Sequence, residues 1–200
     1  MSEKLQPLTL IRALLNPESI KEGTPEYIAD QEFQKSIAET ASVLLSRYTQ
    51  KRNIHWNKNE KKNALMGMAG QTAFQKVLEY LKIPYEMDNP IATTRKPYDF
   101  KISLGTIEVK TVNHYSRKVI IKISEWHGND YLIVWQVTEN GIRLIGWLTQ
   151  QEVEAYPIRK KRTTKYNPYS TSYIIDLSDL SNSKTFITKL KETKAKMFDT

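Results

Sequence analysis

Cysteine is absent from the 200 residues. Disulfides, thiolate-bound zinc, iron–sulfur clusters and thiol nucleophiles are therefore all excluded. Glycine is scarce, at 7, and histidine scarcer, at 3. No phosphate-cradling or dinucleotide-binding glycine pattern occurs, and no Gly-x-Ser-x-Gly element, so ATP-driven and acyl-transfer chemistry lack their usual machinery. Long apolar runs are missing too. The opening stretch MSEKLQPLTLIRALLNPESI is broken at Pro7, Arg12 and Pro17, so neither a signal-peptide core nor a transmembrane span is expected. The corresponding expectation is a cytoplasmic chain with no membrane partner. Acid is in deficit: 22 Asp and Glu stand against 30 Lys and Arg, a formal charge of +8. A surplus of that size favours a polyanionic partner, nucleic acid first, over a basic face that is merely solvated.

The composition that remains, 40% hydrophobic and 26% charged, suffices for one core with helices packed on a sheet. Thr24-Pro25-Glu26 has the order of a helix start. Phe33, Ile37, Ala41, Leu44, Leu45 and Tyr48 then recur at helical spacing to about residue 50. Residues 51–62 read as a polar connection. A second helix carries Leu65, Ala69, Ala73, Val77 and Leu81 on one stripe, with Gly67 and Gly70 allowing close approach to a neighbour, and Pro84 ends it. Beyond it the period changes to two. Phe100, Ile102 and Leu104 alternate with polar residues, and residues 131–137 form an apolar run suited to a strand buried on both faces. Asn140-Gly141 signals a hairpin, and Thr149 with Glu152 a capping box. Residues 160–172 read as loop, 173–175 as strand, and a basic helix follows from about Ser183. The fold class expected is α/β (α+β): a central mixed sheet flanked by helices, with residues 1–55 a helical extension and 56–200 the core domain.

The informative stretch is PYDFKISLGTIEVK, Pro97 to Lys110. With a turn at Leu104-Gly105, Ile102 falls opposite Ile107 and Phe100 opposite Val109 on an apolar face. Lys101 then opposes Glu108, and Asp99 opposes Lys110, on the other face. Carboxylates and lysines converging on one patch suit phosphodiester hydrolysis. Hard divalent cations prefer carboxylate and carbonyl oxygens, and a neighbouring lysine orients or deprotonates the attacking water or stabilises the developing charge.

This hairpin resembles the signature of the PD-(D/E)XK nuclease superfamily, the restriction-endonuclease-like and Holliday-junction-resolvase-like enzymes. Pro97 and Asp99 match the PD element with one residue inserted, and Glu108-Val109-Lys110 matches ExK. The helix from Gly67 to Tyr85, the buried strand at 131–137 and Gly146-Trp147 are similar as well, so the resemblance spans about residues 60 to 150. It implies a restriction-endonuclease-like fold and a Mg²⁺-dependent deoxyribonuclease, with Mn²⁺ able to substitute. Asp99, Glu108 and the Val109 carbonyl would hold the metal, and Lys110 would act on the water. Many relatives place a metal-binding Glu where this chain has Gln71, whose amide oxygen brings no charge; Glu60 and Glu79 are nearby acids that would substitute. Relatives often carry a helix where residues 117–123 read here as strand.

Lys160, Lys161, Arg162, Lys165 and Tyr166 form a basic, aromatic segment suited to phosphates and unpaired bases. A second basic cluster, Arg47, Lys51, Arg52 and Lys58, surrounds His55 and Trp56. No histidine is expected to be a ligand, though His114 follows the ExK strand, and Trp126, Trp135 and Trp147 are expected in the core. DNA is the expected partner, with RNA and a homodimer left open. A catalytically silent nucleic-acid-binding module of the same fold is the alternative.

Overall fold

The computed structural model describes residues 21–22, 24–52, 54–89, 96–139, 141–161 and 170–196. Helix α1 (Pro25–Arg52) starts at the expected cap, where the Tyr27 amide donates to Thr24 Oγ1. Phe33, Ile37, Ala41 and Leu45 are its buried stripe. Helix α2 (Lys58–Leu81) begins earlier than the sequence reading had it. Asn57 caps it, and Glu60 closes a capping box, so the expected connection is helical from Lys58 onward. Its last turn is stopped by Lys82 in the left-handed conformation, φ 55°, just before Pro84.

Short strands β1 (Glu86–Met87) and β2 (Phe100–Ile102) precede the long β3 (Gly105–Asn113). After β4 (Lys118–Lys122) and a 3-10 turn (Ile123–Glu125) come β5 (Tyr131–Thr138) and β6 (Gly141–Thr149). A short helix α3 (Gln150–Glu154) carries the expected Thr149–Glu152 capping box. Strands β7 (Ile158–Lys161), β8 (Ser170–Asp176) and β9 (Ser181–Asn182) and helix α4 (Ser183–Lys196) complete the order. The central sheet runs β1-β2-β3-β5-β6-β9 and is mixed, with β3 and β5 parallel and the remaining pairs antiparallel. A second, three-stranded sheet runs β4-β8-β7. The expected α/β class with a mixed sheet flanked by helices is what the chain adopts.

Two clusters explain the layers. On one face Phe74, Val77 and Leu78 of α2, Phe33 and Ile37 of α1, and Phe186, Ile187 and Leu190 of α4 pack with Phe100, Ile107, Val109, Ile133 and Trp135. On the other, Val112, Leu132 and Val134 meet Val119, Ile121, Tyr173 and Ile175 of the second sheet. Strand β5 therefore has a buried face on each side, which is why its run is apolar without alternation. All three tryptophans named above are buried.

Gly70 does what its position suggested: a Cβ there would collide with the Thr111 hydroxyl, so its absence lets α2 lie directly on β3. Helix α1 is held by Asp30, which takes both Arg143 Nη atoms at 2.7 Å. Gln34 is bonded to both backbone groups of Ile142, accepting from its N–H at 2.8 Å and donating to its carbonyl at 3.1 Å. No described helix is long and apolar enough to cross a membrane.

Two sequence expectations change. The β2–β3 turn is Ser103-Leu104, not Leu104-Gly105, because Gly105 opens β3 at φ +139° against the Asp130 carboxylate. The register is Phe100↔Ile107 and Lys101↔Thr106, two residues from the one expected. An even slip keeps every side chain on its face, so Phe100, Ile102, Ile107 and Val109 stay together in the core. The loop expected over 160–172 is strand at both ends: Lys160 and Lys161 pair with Thr171 and Ser170.

Candidate active site

Strand β3 carries the site. Its odd residues enter the helical core, which turns Glu108 and Lys110 to the opposite face. Continuing the β2–β3 register by one residue sets Asp99 across from Glu108. The Asp99 N–H donates to the Ile107 carbonyl at 3.0 Å, and its Oδ2 accepts from the Val109 N–H at 2.8 Å. Asp99 is thus locked by the strand it faces. The same slip moves Lys101 opposite Thr106 and out of the group.

Gln71 reaches Asp99 from α2, with Nε2 donating to Oδ1 at 2.6 Å. An ionised carboxylate can only accept, so the amide must present its nitrogen there. Gln71 meets the group as a donor that orients Asp99. Lys110 Nζ lies 2.7 Å from Glu108 Oε1 and 3.7 Å from Glu125 Oε2. Glu125 in turn takes Lys122 Nζ at 2.6 Å.

Asp99 and Glu108 are each only 8% exposed, so their charges are held by these partners rather than by water. Burial works against the Lys110 ammonium, yet the charge and hydrogen bond of Glu108, with Glu125 and Asp99 behind, raise its pKa above the ordinary lysine value. Burial likewise pushes the Glu125 carboxyl up, but the hydrogen bond from Lys122 and the charges of Lys110 and Lys122 bring it below the usual value.

These groups line an open cleft of about 480 Å³, floored by Asn63, Gly67 and Gln71 of α2 and closed by Tyr98, Ser124, Glu125 and His127. Of the residues named from sequence, Asp99, Glu108, Lys110, Val109 and Gln71 all line it. Neither acid suggested as a substitute for the helix Glu does so. Glu60 is spent on the α2 cap, and Glu79 bonds Gln75 and Tyr85. The additional acid at the cleft is Glu125, which the sequence did not flag. Its signal was indirect: a strand at 117–123 that returns beside β3 must deliver whatever follows it to the β3 surface. His114 lies elsewhere, stacked on Tyr115 and lining a cleft of about 1020 Å³ between α1, α2 and the ends of β3, β5 and β6.

The basic segment is placed by register. Lys122, the last residue of β4, pairs with Ser172, which pairs on its other side with Arg159. Lys160 and Lys161 therefore run two residues past the end of β4, roughly 7 Å, at the end where the chain turns into Glu125 and the cleft. Arg162, Lys165 and Tyr166 lie outside the described residues.

Among the described residues no group of three His, Asp or Glu side chains converges as a metal cage. The donors that do meet, two carboxylates with a main-chain carbonyl between them in sequence, are hard oxygen ligands. They fit Mg²⁺, which commonly takes one or two carboxylates plus water and substrate phosphate, and they do not fit a His- or Cys-bound transition metal. No family model matches the chain, and neither a curated protein nor a solved structure matches it.

Proposed function

We propose that the chain is a divalent-metal-dependent nuclease hydrolysing phosphodiester bonds of DNA, with Asp99, Glu108 and Lys110 as its catalytic group. The observation that carries the reading is their meeting in one open cleft, together with Gln71, on a strand whose opposite face is core. Asp99, Glu108 and the Val109 carbonyl would hold Mg²⁺ or Mn²⁺. When bound, the ion supplies Lewis-acid stabilisation of the charge that builds on the scissile phosphate. Asp99 is pre-oriented by the Val109 N–H and the Gln71 amide, so it presents fixed lone pairs. Lys110 is held protonated by its carboxylate neighbours; it is therefore a donor, orienting the attacking water and stabilising the negative charge of the transition state. The restriction-endonuclease-like fold belongs to the same proposal. Lys160 and Lys161, beyond the end of β4, are positioned to meet flanking phosphates, which adds a salt-dependent share of the binding.

The test is incubation with Mg²⁺ or Mn²⁺ and plasmid, linear, single-stranded and branched DNA, with RNA alongside and Lys110→Ala as control. Wild type should cut and the variant should not. No cleavage of any substrate, with no Mn²⁺ binding that depends on Asp99 and Glu108, would remove the reading. One observation favours a second reading, a silent nucleic-acid-binding module: the Gln71 amide donates to Asp99 where a third carboxylate would add charge. That module would bind DNA with a steep salt dependence and cut nothing.

A further inference from the structure

The two glycines of α2 differ in what surrounds them. Gly70 is required by packing, since a Cβ there would strike Thr111. At Gly67 nothing lies within 4 Å of where a Cβ would stand. Glycine inside a helix leaves it less stable than alanine would, and no neighbour in the fold demands the missing methyl group. Gly67 is also one of the residues facing the cleft, between Asn63 one turn before and Gln71 one turn after. Positions four apart share a helix face, about 6 Å apart along the axis. Any side chain at 67 would thus project into the mouth of the cleft that holds Asp99, Glu108 and Lys110.

We infer that Gly67 is a specificity-determining position: its bare backbone leaves the room through which a nucleic-acid strand reaches Asp99 and Glu108. Asn63, exposed one turn earlier, offers an amide to the phosphate or sugar oxygens of the same strand. The identity of the occupant rests on the nuclease reading. The role of the space rests on the contrast between the two glycines. Gly67→Ala should stiffen α2 and narrow the passage slightly, and Gly67→Leu should fill it.

The experiment measures the melting temperature, the affinity for labelled single-stranded and duplex DNA without divalent ions, and KM and kcat with Mg²⁺, for wild type and both variants. Gly67→Ala should raise the melting temperature by about 2–4 °C. Affinity should fall in the order Gly, Ala, Leu, with leucine losing about tenfold, the scale expected when methylenes are forced into occupied space. KM should rise with it, while Mn²⁺ affinity stays unchanged. Should leucine lower the melting temperature, Gly67→Gln takes its place. A filled variant that binds and cuts like wild type overturns the inference and leaves the nuclease reading standing. If the wild type itself neither binds nor cuts nucleic acid, the nuclease reading falls and takes the inference with it.

Discussion

Lys110 is expected to do two jobs that a single substitution separates. Its ammonium lies 2.7 Å from Glu108, with side-chain exposures of 22% and 11%. Lys110→Ala would leave Glu108 facing Asp99 and Glu125 with no cation between them. A hydrogen bond to a charged group is worth about 1.5–3 kcal/mol, and breaking a fully buried pair costs about 3–5 kcal/mol. The residual exposure of Lys110 places this case near the low end, about 2 kcal/mol. For a chain of this size that corresponds to a drop of roughly 4–8 °C in melting temperature without metal. A divalent ion held at about a hundred times its dissociation constant adds back about 2.7 kcal/mol by mass action. The ion should also bind the variant more tightly than wild type, because the competing ammonium is gone. Calorimetry of both proteins with and without Mn²⁺ reads all of this. The variant should melt lower without the ion, gain more from it, and cut nothing. Equal melting temperatures without metal, or equal gains with it, would refute the assignment of Lys110 as the charge that balances Glu108; retained cleavage would refute its catalytic role.

Gln71→Glu sets a third carboxylate at the 2.6 Å contact with Asp99, so it should destabilise the metal-free protein and tighten Mg²⁺ binding, both visible in a thermal shift series; cleavage gained by this variant alone would identify a silenced nuclease. Arg143→Ala strands Asp30, whose side chain is 4% exposed, and should cost about 3 kcal/mol, lowering the melting temperature by roughly 6–12 °C; a loss within 2 °C would mean the pair does not hold α1 on β6. Hydrogen bonds from the Thr106 N–H and hydroxyl hold the Asp130 carboxyl below its usual range, burial opposing them only weakly. A depressed folded-state pKa contributes stability that is present above the unfolded value, near 3.9, and lost as the pH falls through the folded one. Wild type should therefore lead Asp130→Asn in melting temperature at pH 6, with the lead shrinking below pH 4, and a pH-independent difference would count against the charge.

The face of the β2–β3 hairpin could be read from alternation alone, but its register could not. Alternation fixes which residues share a side and is blind to a shift of two. The offset was set by Gly105 against Asp130 on β5, a contact between segments that no local pattern joins. The caps at Thr24 and Thr149 were legible because a cap is a short-range bond. The helix start at Lys58 was missed because its capping Asn57 sits in a run of polar residues that reads as connection. Glu125 was invisible for a topological reason: its place at the cleft follows from β4 joining a second sheet, and that pairing involves β8, far along the chain. Lys160 and Lys161 were read as loop because lysine-rich edges carry little strand propensity.

Gln34 gives helix α1 a part in the chain's colloidal behaviour. By answering both backbone groups of Ile142, one side chain stands in for an absent neighbouring strand along a stretch of β6 whose pairing with β9 is confined to Gly146 and Trp147. A fragment begun after α1 would bare that rung, with Ile142 and Leu144 beside it. Open edges of this kind recruit strands from other molecules, so such a fragment would be prone to pair edge to edge and drift toward oligomers, however well the catalytic hairpin were preserved.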